Sequence, residues 1–462
     1  MKPLFGRYAR PHFVGIGGAG MEVLARLVAA LGCRVSGTDA RGSAVLDALR
    51  ADGIDAREGH AVDAVRGADL VVYSAAVGED NPELRHARQA GLPVVSRAVL
   101  LGALSRRFLT IAVSGSHGKT TTASMLAAIL VRAGWDPSVA IGGWRNGAPQ
   151  ARLGGGPHLV VEADEYRSAF LELAPSWAVV TNVDAEHLDC FADLAAVEAA
   201  FAEFLRRLPF FGRAFVAGDG QAGAAVLAAP SVQVDTFGLG ATNTWQAADL
   251  ELLSWGSRFC VAQAGRPRAR VELQVPGEHN ARNALAAAAV ALHLEVPAEL
   301  VVAALNEYTG AARRLEMRGQ IGGVTAVDDY AHHPTEVRAS LAAMRRRGGR
   351  TLVVFQPHLF SRTRLLCEDF GAALREADEV FLAPVYAARE EPEPGVDSQL
   401  IAAALRARGH ERVHLLGQDP TPAATVLAHC RPGDTVLVLG AGDIGRLADE
   451  LMVALRDRAG GG

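Results

Sequence analysis

The chain has 462 residues, of which half are hydrophobic and 21% are charged, and its formal net charge is −5 at pH 7. This length predicts two to four domains with large buried cores, and the small negative charge gives no indication of nucleic acid or an anionic membrane as a partner. The five cysteines lie far apart without a C-x-x-C pair, which is typical of reduced thiols rather than disulfides or a zinc site. The N-terminal stretch lacks the apolar core of a signal peptide, so we expect a cytoplasmic protein.

The first segment, to about residue 105, alternates strand-like and helix-like runs. Residues 12–16 and 34–37 have strand patterns, and residues 21–31 between them have helical periodicity. Two further strand-like runs follow before the segment ends. Alternation of this kind predicts a parallel sheet with helices on both faces.

A glycine-rich loop joins the first predicted strand to the first predicted helix. It fits the pattern G-x-G-x-x-G, and an acidic residue ends the next strand. Alone, this combination is the dinucleotide fingerprint, with the acidic residue on a ribose hydroxyl, and indicates a dehydrogenase. The pyrophosphate of any nucleotide can bind such a loop through the same backbone contacts, so the loop also fits a nucleotide-linked substrate. The residues expected to contact that substrate are Gly15, Gly17, Gly18, Ala19, Gly20 and Asp39.

A second loop of this type opens the middle segment, directly after the apolar run 108–113. Its glycines let backbone N–H groups approach an anion, the following helix adds positive potential, and Lys119 is placed to reach terminal phosphates. Its spacing is shorter than in the common phosphate loop, because only two residues precede Gly118-Lys119. Two nucleotide loops favour an enzyme with one nucleotide as energy source and another within a substrate. The residues expected to bind ATP are Gly115, Ser116, His117, Gly118, Lys119, Thr120 and Thr121.

Polar residues end the next two predicted strands. Glu162 ends the first, and a cation that bridges ATP phosphates prefers carboxylate oxygens, so we expect Glu162 to bind a metal. His187 follows the second and is either a structural histidine or a neutral ligand of a second divalent ion. Farther along, a polar helix start is explained equally well by N-capping or by ligand binding. Its residues are His279, Asn280 and Asn283.

The last segment, from about residue 312, restarts the α/β pattern. Two dense polar clusters, at residues 328–334 and 356–364, follow strand-like runs. Ligands of parallel sheets bind at the carboxyl ends of strands. The two clusters are therefore predicted to line a substrate site.

Taken together, these motifs resemble those of the Mur ligases. The resemblance covers essentially the whole chain and rests on residues 15–21, 115–121, 162–165, 181–187, 313–316, 328–336 and 356–364. It implies an α/β fold with a three-domain Mur ligase architecture. The implied domains are a Rossmann-like UDP-sugar-binding domain at 1–105, a central P-loop ATPase-like domain at 106–311, and a Rossmann-like amino-acid-binding domain at 312–462.

Within the family, the chain is most similar to the members that join L-alanine to UDP-N-acetylmuramate. The resemblance implies an ATP- and Mg²⁺-dependent ligase of peptidoglycan synthesis. ATP would phosphorylate the lactyl carboxylate, and the amine of L-alanine would attack the acyl phosphate, giving ADP and phosphate. Such a transfer needs metal and cation clamps more than a covalent nucleophile, and no nucleophilic Ser or Cys stands out. We expect a monomer or a homodimer, with neither nucleic acid nor membrane as partner.

The resemblance also implies a role for each motif residue. Lys119 would hold the β- and γ-phosphates of ATP. Thr120 and Glu162 would hold one Mg²⁺, and His187 would help to hold a second. The remaining contacts with ATP would come from His279, Asn280 and Asn283 at the adenine, Arg314 at the γ-phosphate and Asp329 at the ribose. L-Alanine would be positioned by His332 together with Arg362 or Arg364.

Two alternatives remain at this stage. Tyr166-Arg167 stands where alanine-adding members usually have Ser-Asp, and an aromatic residue there is more typical of ligases that recycle murein tripeptides. Those ligases usually carry a Cys-Gly-Thr version of the first glycine loop, whereas this chain has Gly17-Gly18-Ala19. The recycling ligase is therefore the second hypothesis. A nucleotide-dependent dehydrogenase is the alternative from a different class.

Overall fold

The computed structural model describes residues 5–142, 151–186, 190–229, 231–388, 390–417 and 421–460. The chain forms two compact units. The first comprises Met1–Ala248, Cys260–Ala269 and Arg282–Leu305, and the second comprises Asp249–Phe259, Arg270–Ala281 and Asn306–Gly462. Among the described helices, none is long and apolar enough to cross a lipid bilayer.

Five parallel strands build the first sheet of the first unit, in the order β3-β2-β1-β4-β5. They are β1 (Pro11–Val14), β2 (Ser36–Asp39), β3 (Asp55–Glu58), β4 (Leu70–Tyr73) and β5 (Val94–Ser96). The helices are α1 (Ala19–Ala30), α2 (Ala44–Ala51), α3 (Pro82–Gln89) and α4 (Arg97–Ser105), with a 3-10 turn at Val62–Val65. Chain order reverses between β1 and β4, and ligands bind beyond the carboxyl ends of strands at such a point.

The predicted parallel α/β pattern of this segment is confirmed, with one addition. β3 was not predicted, because only Ala56 of its four residues is buried and the other three are charged and exposed. An edge strand of this kind lacks the apolar run that identifies buried parallel strands.

A ten-stranded sheet follows, in the order β15-β14-β13-β12-β11-β10-β6-β9-β7-β8. Its strands are β6 (Leu109–Ser114), β7 (Ser138–Ala140), β8 (Ala151–Arg152), β9 (His158–Glu162), β10 (Trp177–Val180), β11 (Arg213–Ala217), β12 (Gln233–Gly238), β13 (Trp245–Leu252), β14 (Ser257–Gln263) and β15 (Arg266–Leu273). The helices are α5 (Lys119–Arg132), α6 (Leu194–Arg206), α7 (Ala224–Leu227), α8 (Glu278–His293) and α9 (Ala298–Asn306), with a 3-10 segment at Tyr166–Glu172. β6 lies between β9 and β10, with parallel pairing on both sides, so the loops after these three strands meet at one edge.

The third sheet belongs to the second unit and has the order β16-β17-β21-β18-β19-β20. Its strands are β16 (Glu316–Ile321), β17 (Val324–Asp329), β18 (Thr351–Phe355), β19 (Glu379–Leu382), β20 (Val413–Leu415) and β21 (Thr435–Leu439). The helices are α10 (Pro334–Arg345), α11 (Phe360–Leu374), α12 (Gln399–Ala407), α13 (Pro422–His429) and α14 (Gly445–Gly460). Only β16 pairs antiparallel, and separate apolar clusters cover the two faces of the sheet.

One predicted boundary in this sheet was wrong. The strand was expected to end at Val327, with Asp328 and Asp329 in the following loop. Both aspartates instead continue β17, because they pair in register with β21 and are buried. Their carboxylates therefore stand at the last two positions of a buried strand.

Candidate active site

The first glycine loop follows β1 and is held by the last two residues of β2. Gly17 N–H donates to Asp39 Oδ2 at 2.9 Å. The N–H groups of Gly15 and Ile16 donate to the carbonyl of Thr38 at 2.8 and 2.9 Å. Asp39 was expected on a substrate hydroxyl, but its carboxylate binds the loop itself. This contact makes it a positioning group for the loop, and its contact with substrate stays a prediction.

Arg97, at the start of α4, lies beside this loop and was not among the predicted site residues. A Cβ at Gly20 would lie 2.7 Å from its Nη1, so the guanidinium is packed against the glycine loop. Its Nη2 lies 3.4 Å from Asp164 Oδ2, at the loop after β9. A cation beside a glycine loop suits an anionic ligand. Its position just after the last strand-like run of the first segment was the available signal.

The phosphate loop between β6 and α5 requires its two glycines. Gly115 has φ +132°, and a Cβ there would lie 2.0 Å from Thr181 Oγ1. Gly118 has φ +82°, and a Cβ there would lie 2.5 Å from Asn283 Oδ1. Because side chains are excluded at both positions, the backbone of the loop can approach a phosphate. Asn283 of α8 is thereby placed against the phosphate loop, while its predicted contact with adenine stays a prediction.

The loop after β10 braces the phosphate loop. His117 N–H donates to Asn182 Oδ1 at 2.9 Å, and Asn182 Nδ2 donates to the His117 carbonyl at 3.0 Å. Asp184 N–H donates to Ser116 Oγ at 2.9 Å. These contacts fix the loop's shape. Preorganisation of this kind is what a phosphate site needs.

Lys119, the first residue of α5, has carboxylate and carbonyl partners. Its Nζ lies 2.9 Å from both carboxylate oxygens of Glu165, and it donates to the carbonyls of Gly115 at 2.6 Å and Ser116 at 3.1 Å. Burial by itself lowers the pKa of Lys119, but the nearby carboxylates, Glu165 foremost, outweigh it and raise the pKa. Lys119 is thus a fully charged ammonium whose charge is balanced within the chain. Glu165 was not among the predicted site residues.

The segment that carries Glu165 has an unusual backbone. Arg167 and Ser168, which follow it, have φ values of +50° and +56°. Non-glycine residues in this region are strained, and such strain clusters at functional sites. Tyr166-Arg167, which replace the Ser-Asp usual in alanine-adding members, therefore lie in a strained turn. This turn directly follows Glu165, the partner of Lys119.

Glu162 and Thr120 fit a metal site by position and chemistry. Glu162 is the last residue of β9 and pairs in register with Val113 of β6, one residue before the end of that strand. Its Oε1 accepts from the Gly142 N–H at 3.1 Å. Thr120 is the second residue of α5. Carboxylate and hydroxyl oxygens are the donors that Mg²⁺ prefers. The third predicted ligand, His187, lies outside the described residues.

At the start of α8, Asn280 contacts the backbone that precedes the helix. Asn280 Nδ2 donates to the Pro276 carbonyl at 2.7 Å and is 3% exposed. His279 packs its ring against Gly277, where a Cβ would lie 2.5 Å from Cε1. The adenine contacts of both residues stay predictions.

In the second unit, Asp329 is buried among neutral donors. Its Oδ2 accepts from Ser340 Oγ at 2.7 Å, and its Oδ1 accepts from the Ala331 N–H at 3.2 Å. Burial raises its pKa from 3.8 to about 6, although the charge of Arg314 opposes the shift. Arg314 itself lies over the ring of Tyr330 and 3.9 Å from Glu336 Oε1. The predicted ribose contact of Asp329 and phosphate contact of Arg314 are untested.

His332 is fixed in one orientation at the turn between β17 and α10. Its Nδ1 lies 3.0 Å from the Tyr330 carbonyl, and its backbone N–H donates to Glu336 Oε2 at 2.9 Å. Since a carbonyl can only accept, the neutral imidazole carries its proton on Nδ1. That leaves Nε2 as the basic nitrogen.

The structure separates the two candidate arginines of α11. Arg362 Nη1 is buried and lacks a hydrogen-bond partner within the described part of the chain. Arg364 is exposed, and its Nε pairs with Glu393 Oε1 at 3.0 Å. A buried guanidinium nitrogen without a partner is costly, and an incoming carboxylate relieves the cost. Arg362 is therefore the better carboxylate ligand. It lies three residues after Leu359, whose φ of +71° marks a strained entry to the helix.

Comparison with known families accounts for nearly all of the chain. Residues 10–109 match the model of the Mur ligase family catalytic domain. Residues 113–291 match the Mur ligase middle domain, and residues 313–442 match the Mur ligase glutamate ligase domain. A UDP-N-acetylmuramate–L-alanine ligase from Desulfosudis oleivorans is 42% identical over 96% of this chain and 97% of its own length. The chain belongs to the Mur ligase family.

Two solved structures show how this Mur ligase relates to the family's branches. UDP-N-acetylmuramate-alanine ligase from Thermotoga maritima has a TM-score of 0.83 and 27% identity, covering 97% of this chain and 99% of its own. A murein peptide ligase from Psychrobacter arcticus has a TM-score of 0.73 and 25% identity, covering 97% of this chain and 98% of its own. The predicted three-domain α/β architecture of a Mur ligase is confirmed. The similarities favour the alanine-adding members over the recycling ligases, and they do not favour a dehydrogenase.

Proposed function

We propose that this Mur ligase joins L-alanine to the lactyl carboxylate of UDP-N-acetylmuramate and converts ATP to ADP and phosphate. The observation that carries the proposal is full-length similarity to ligases with that name, for example the relatives from Desulfosudis oleivorans and from Solibacter usitatus, which is 41% identical over the whole chain. The reaction is a step of peptidoglycan precursor synthesis in the cytoplasm. We further propose domains at 1–105, 106–311 and 312–462, one for each ligand.

ATP binding is assigned to the phosphate loop and Lys119. The loop's amides and the start of α5 attract phosphate oxygens, and the Lys119 ammonium neutralises the transferred group. Because Lys119 is held by Glu165 at 2.9 Å, phosphate must replace or share that partner. Gly115 and Gly118 leave room for this exchange, because neither has a side chain that would fill the space at the loop.

One Mg²⁺ is assigned to Thr120 and Glu162, and His187 is assigned to help to hold a second Mg²⁺. When bound, Mg²⁺ supplies charge neutralisation of the phosphates and of the developing transition state. The chain's own part is to supply a hydroxyl from the start of α5, after the loop that follows β6, and a carboxylate from the end of β9, which pairs with β6. This donor set suits Mg²⁺ better than a softer metal.

The chemistry proceeds in two steps. A lactyl carboxylate oxygen attacks the γ-phosphorus, the bond to the β-phosphate oxygen breaks, and ADP leaves. The amine of alanine then attacks the carbonyl carbon of the acyl phosphate, and phosphate leaves as the amide forms. The alanine ammonium must first lose a proton, and we assign its acceptance to Nε2 of His332.

The amino-acid carboxylate is assigned to Arg362, because its buried Nη1 lacks a partner among the described residues. A guanidinium presents a planar pair of donors to a carboxylate. The UDP-sugar is assigned to the first glycine loop with Asp39. Arg97 is added as the cation for the pyrophosphate, because its guanidinium packs against Gly20.

The test is a phosphate-release assay with substrate omissions. Release of phosphate should require UDP-N-acetylmuramate, ATP and L-alanine together. With UDP-N-acetylmuramate and ATP present, L-alanyl-γ-D-glutamyl-diaminopimelate in place of alanine should give at most a small fraction of the rate. A preference for the tripeptide would move the chain to the recycling branch. Thermal protection by NAD without protection by UDP-N-acetylmuramate would favour a dehydrogenase instead.

A further inference from the structure

A cluster of two histidines and one glutamate in the second unit is not used by the proposed reaction. His414 Nε2 lies 2.8 Å from Glu379 Oε1, and His429 Nδ1 lies 2.6 Å from the same oxygen. The three ligand atoms all lie within 4.8 Å of one another. One carboxylate oxygen thus meets two imidazole nitrogens at a single point.

The fold brings these residues together from three elements. Glu379 begins β19, and His414 pairs in register with Phe381 of the same strand. Residues 379 and 381 alternate onto one face of the sheet, and paired residues share a face, so Glu379, Phe381 and His414 lie together. His429 ends α13, whose residues belong to the apolar cluster on the face that Phe381 occupies.

An aromatic side chain holds both imidazoles. The ring of Phe381 stacks on His414 with a centroid distance of 4.7 Å, and it meets His429 edge-on at 5.3 Å. The two imidazole rings lie 4.6 Å apart. Ligands whose orientation is fixed before binding lose less entropy when they bind.

The charge balance around the cluster suits a divalent cation. Glu379 is 6% exposed, and its other oxygen, Oε2, lies 3.6 Å from Arg350 Nη1. Arg350 is itself compensated by two hydrogen bonds to Asp434, at 3.2 and 2.6 Å. The Oε1 atom is the oxygen that meets both histidines. Their side chains are each 36% exposed, which leaves access for an ion and a water ligand.

We propose that Glu379, His414 and His429 bind a zinc-class divalent ion, with water as a fourth ligand. Two imidazoles and one carboxylate are a common zinc donor set, whereas Mg²⁺ prefers oxygen ligands. Zinc–ligand bonds of about 2.0–2.2 Å require the donors to move apart by roughly 0.5 Å from their hydrogen-bonded positions. Rotation of the half-exposed imidazoles provides that movement.

The proposed ion would serve stability rather than catalysis. Glu379 lies at the amino end of β19, whereas His332 and Arg362 follow the carboxyl ends of β17 and β18, which point the same way. The cluster therefore stands at the opposite end of the sheet from those residues. A bound ion would tie the edge strand β20 and the end of α13 to β19.

The experiment is a zinc and cobalt titration of the metal-stripped full chain in saturating Mg²⁺, which occupies the oxygen-rich ATP site. Calorimetry should show one Zn²⁺ equivalent, and Co²⁺ should give the visible absorption of a four-coordinate ion. In His414→Gln and His429→Gln this equivalent should weaken by at least about tenfold. The matched control is His410→Gln, because His410 in the same unit contacts a backbone carbonyl, that of Ala377.

Thermal unfolding separates the proposal from loss of folding. Zn²⁺ should raise the Tm of the parent and of His410→Gln, and it should leave the Tm of the two cluster variants unchanged. Metal-free variants with a Tm near that of the metal-free parent show that the fold is retained. Equal Zn²⁺ affinity in the parent and both cluster variants would overturn the proposal, as would the absence of any Zn²⁺ equivalent that Mg²⁺ does not displace. In either case the cluster is a hydrogen-bonded His–Glu–His group only.

Discussion

Buried charge is compensated differently in two regions of the molecule. One region is the phosphate loop of the first unit, and the other comprises the residues around Arg362 and Asp329 in the second unit. In the first, Lys119 is balanced by Glu165, which lies 2.9 Å away and is 1% exposed. In the second, Arg362 has a buried nitrogen without a partner among the described residues, and Asp329 accepts only from neutral donors. In the first region a carboxylate contacts the buried ammonium, whereas in the second burial outweighs the nearby charge of Arg314 at Asp329.

This difference indicates how each region meets its ligand. A phosphate at Lys119 competes with an internal carboxylate, so binding there is an exchange of partners. A carboxylate at Arg362 displaces no protein group, so binding there removes a cost that folding left in place. Buried charges without partners destabilise a fold, and they are typical of functional sites. Four substitutions test this comparison, in order of decreasing effect.

Lys119→Ala should have the largest effect. Loss of a charge aimed at the transferred phosphoryl group costs at least about 3 kcal/mol in the transition state, or more than a hundredfold in kcat/KM for ATP. Thermal protection by UDP-N-acetylmuramate, measured in the same preparation, should be retained and shows that the fold is intact. A rate near that of the parent would mean that the loop is structural.

Asp329→Asn should stabilise the chain while impairing activity. A pKa raised from 3.8 to about 6 means that the folded state binds the proton more tightly than the unfolded state. Ionisation of Asp329 at neutral pH therefore costs up to about 3 kcal/mol of stability, and the cost disappears as pH falls from about 6 to about 4. Asn removes the charge and retains an acceptor for Ser340.

The measurement is the Tm of both proteins at pH 7.5 and at pH 4.5. The Asn variant should have the higher Tm at pH 7.5, and the difference should shrink at pH 4.5. A constant difference at both pH values would show that Asp329 does not carry the uncompensated charge. Ser340→Ala provides the control, because it removes a partner without removing the charge.

Arg362→Lys should raise the KM for alanine by about tenfold or more and leave the KM for ATP nearly unchanged. The reason is that Lys cannot reproduce the two parallel donors, and a hydrogen bond between charged groups contributes about 1.5–3 kcal/mol. Arg364→Lys is the matched control and should change neither constant by more than about twofold, since exposed ion pairs contribute little. If the KM for alanine rises in Arg364→Lys and not in Arg362→Lys, the carboxylate ligand is Arg364.

Glu165→Gln should have the smallest effect and the opposite sign. Removal of the carboxylate that contacts Lys119 leaves its ammonium hydrogen-bonded to the carbonyls of Gly115 and Ser116, so ADP should bind several-fold more tightly in the absence of Mg²⁺. Calorimetric titration with ADP gives the affinity directly. Weaker binding in the variant would mean that Glu165 orients Lys119 for the nucleotide rather than competing with it.

Most of the fold could be predicted from the sequence because parallel strands are apolar runs bounded by glycine loops. β6 is such a run, predicted at 108–113 and observed at Leu109–Ser114, and the predicted end of β9 at Glu162 is also observed. β3 could not be predicted, since an exposed edge strand with one buried residue carries no such signal. The end of β17 was misplaced because two aspartates look like loop residues until their pairing with β21 is known.

The candidate site could be predicted as a set of motifs, but its internal contacts could not. The sequence identified Lys119 from the loop that surrounds it, yet gave no reason to pair it with Glu165 across 46 positions. Arg362 and Arg364 were equivalent in the sequence, and only burial distinguishes them. Asp39 was assigned to a substrate hydroxyl because the motif is defined by its ligand, whereas the described structure shows a contact within the loop.

The pairing of Lys119 with Glu165 has a consequence for chemical labelling. The sequence contains two lysines, Lys2 and Lys119, and all other basic side chains apart from histidine are arginines. A protonated amine is not a nucleophile, and the raised pKa of Lys119 keeps it protonated at neutral pH. Acylating reagents should therefore spare Lys119 and modify the N-terminal region first. Because the chain has so few amines, acylation can be followed by mass spectrometry of one peptide, the one that contains Lys119. An increase in the mass of that peptide would show that Lys119 has separated from Glu165.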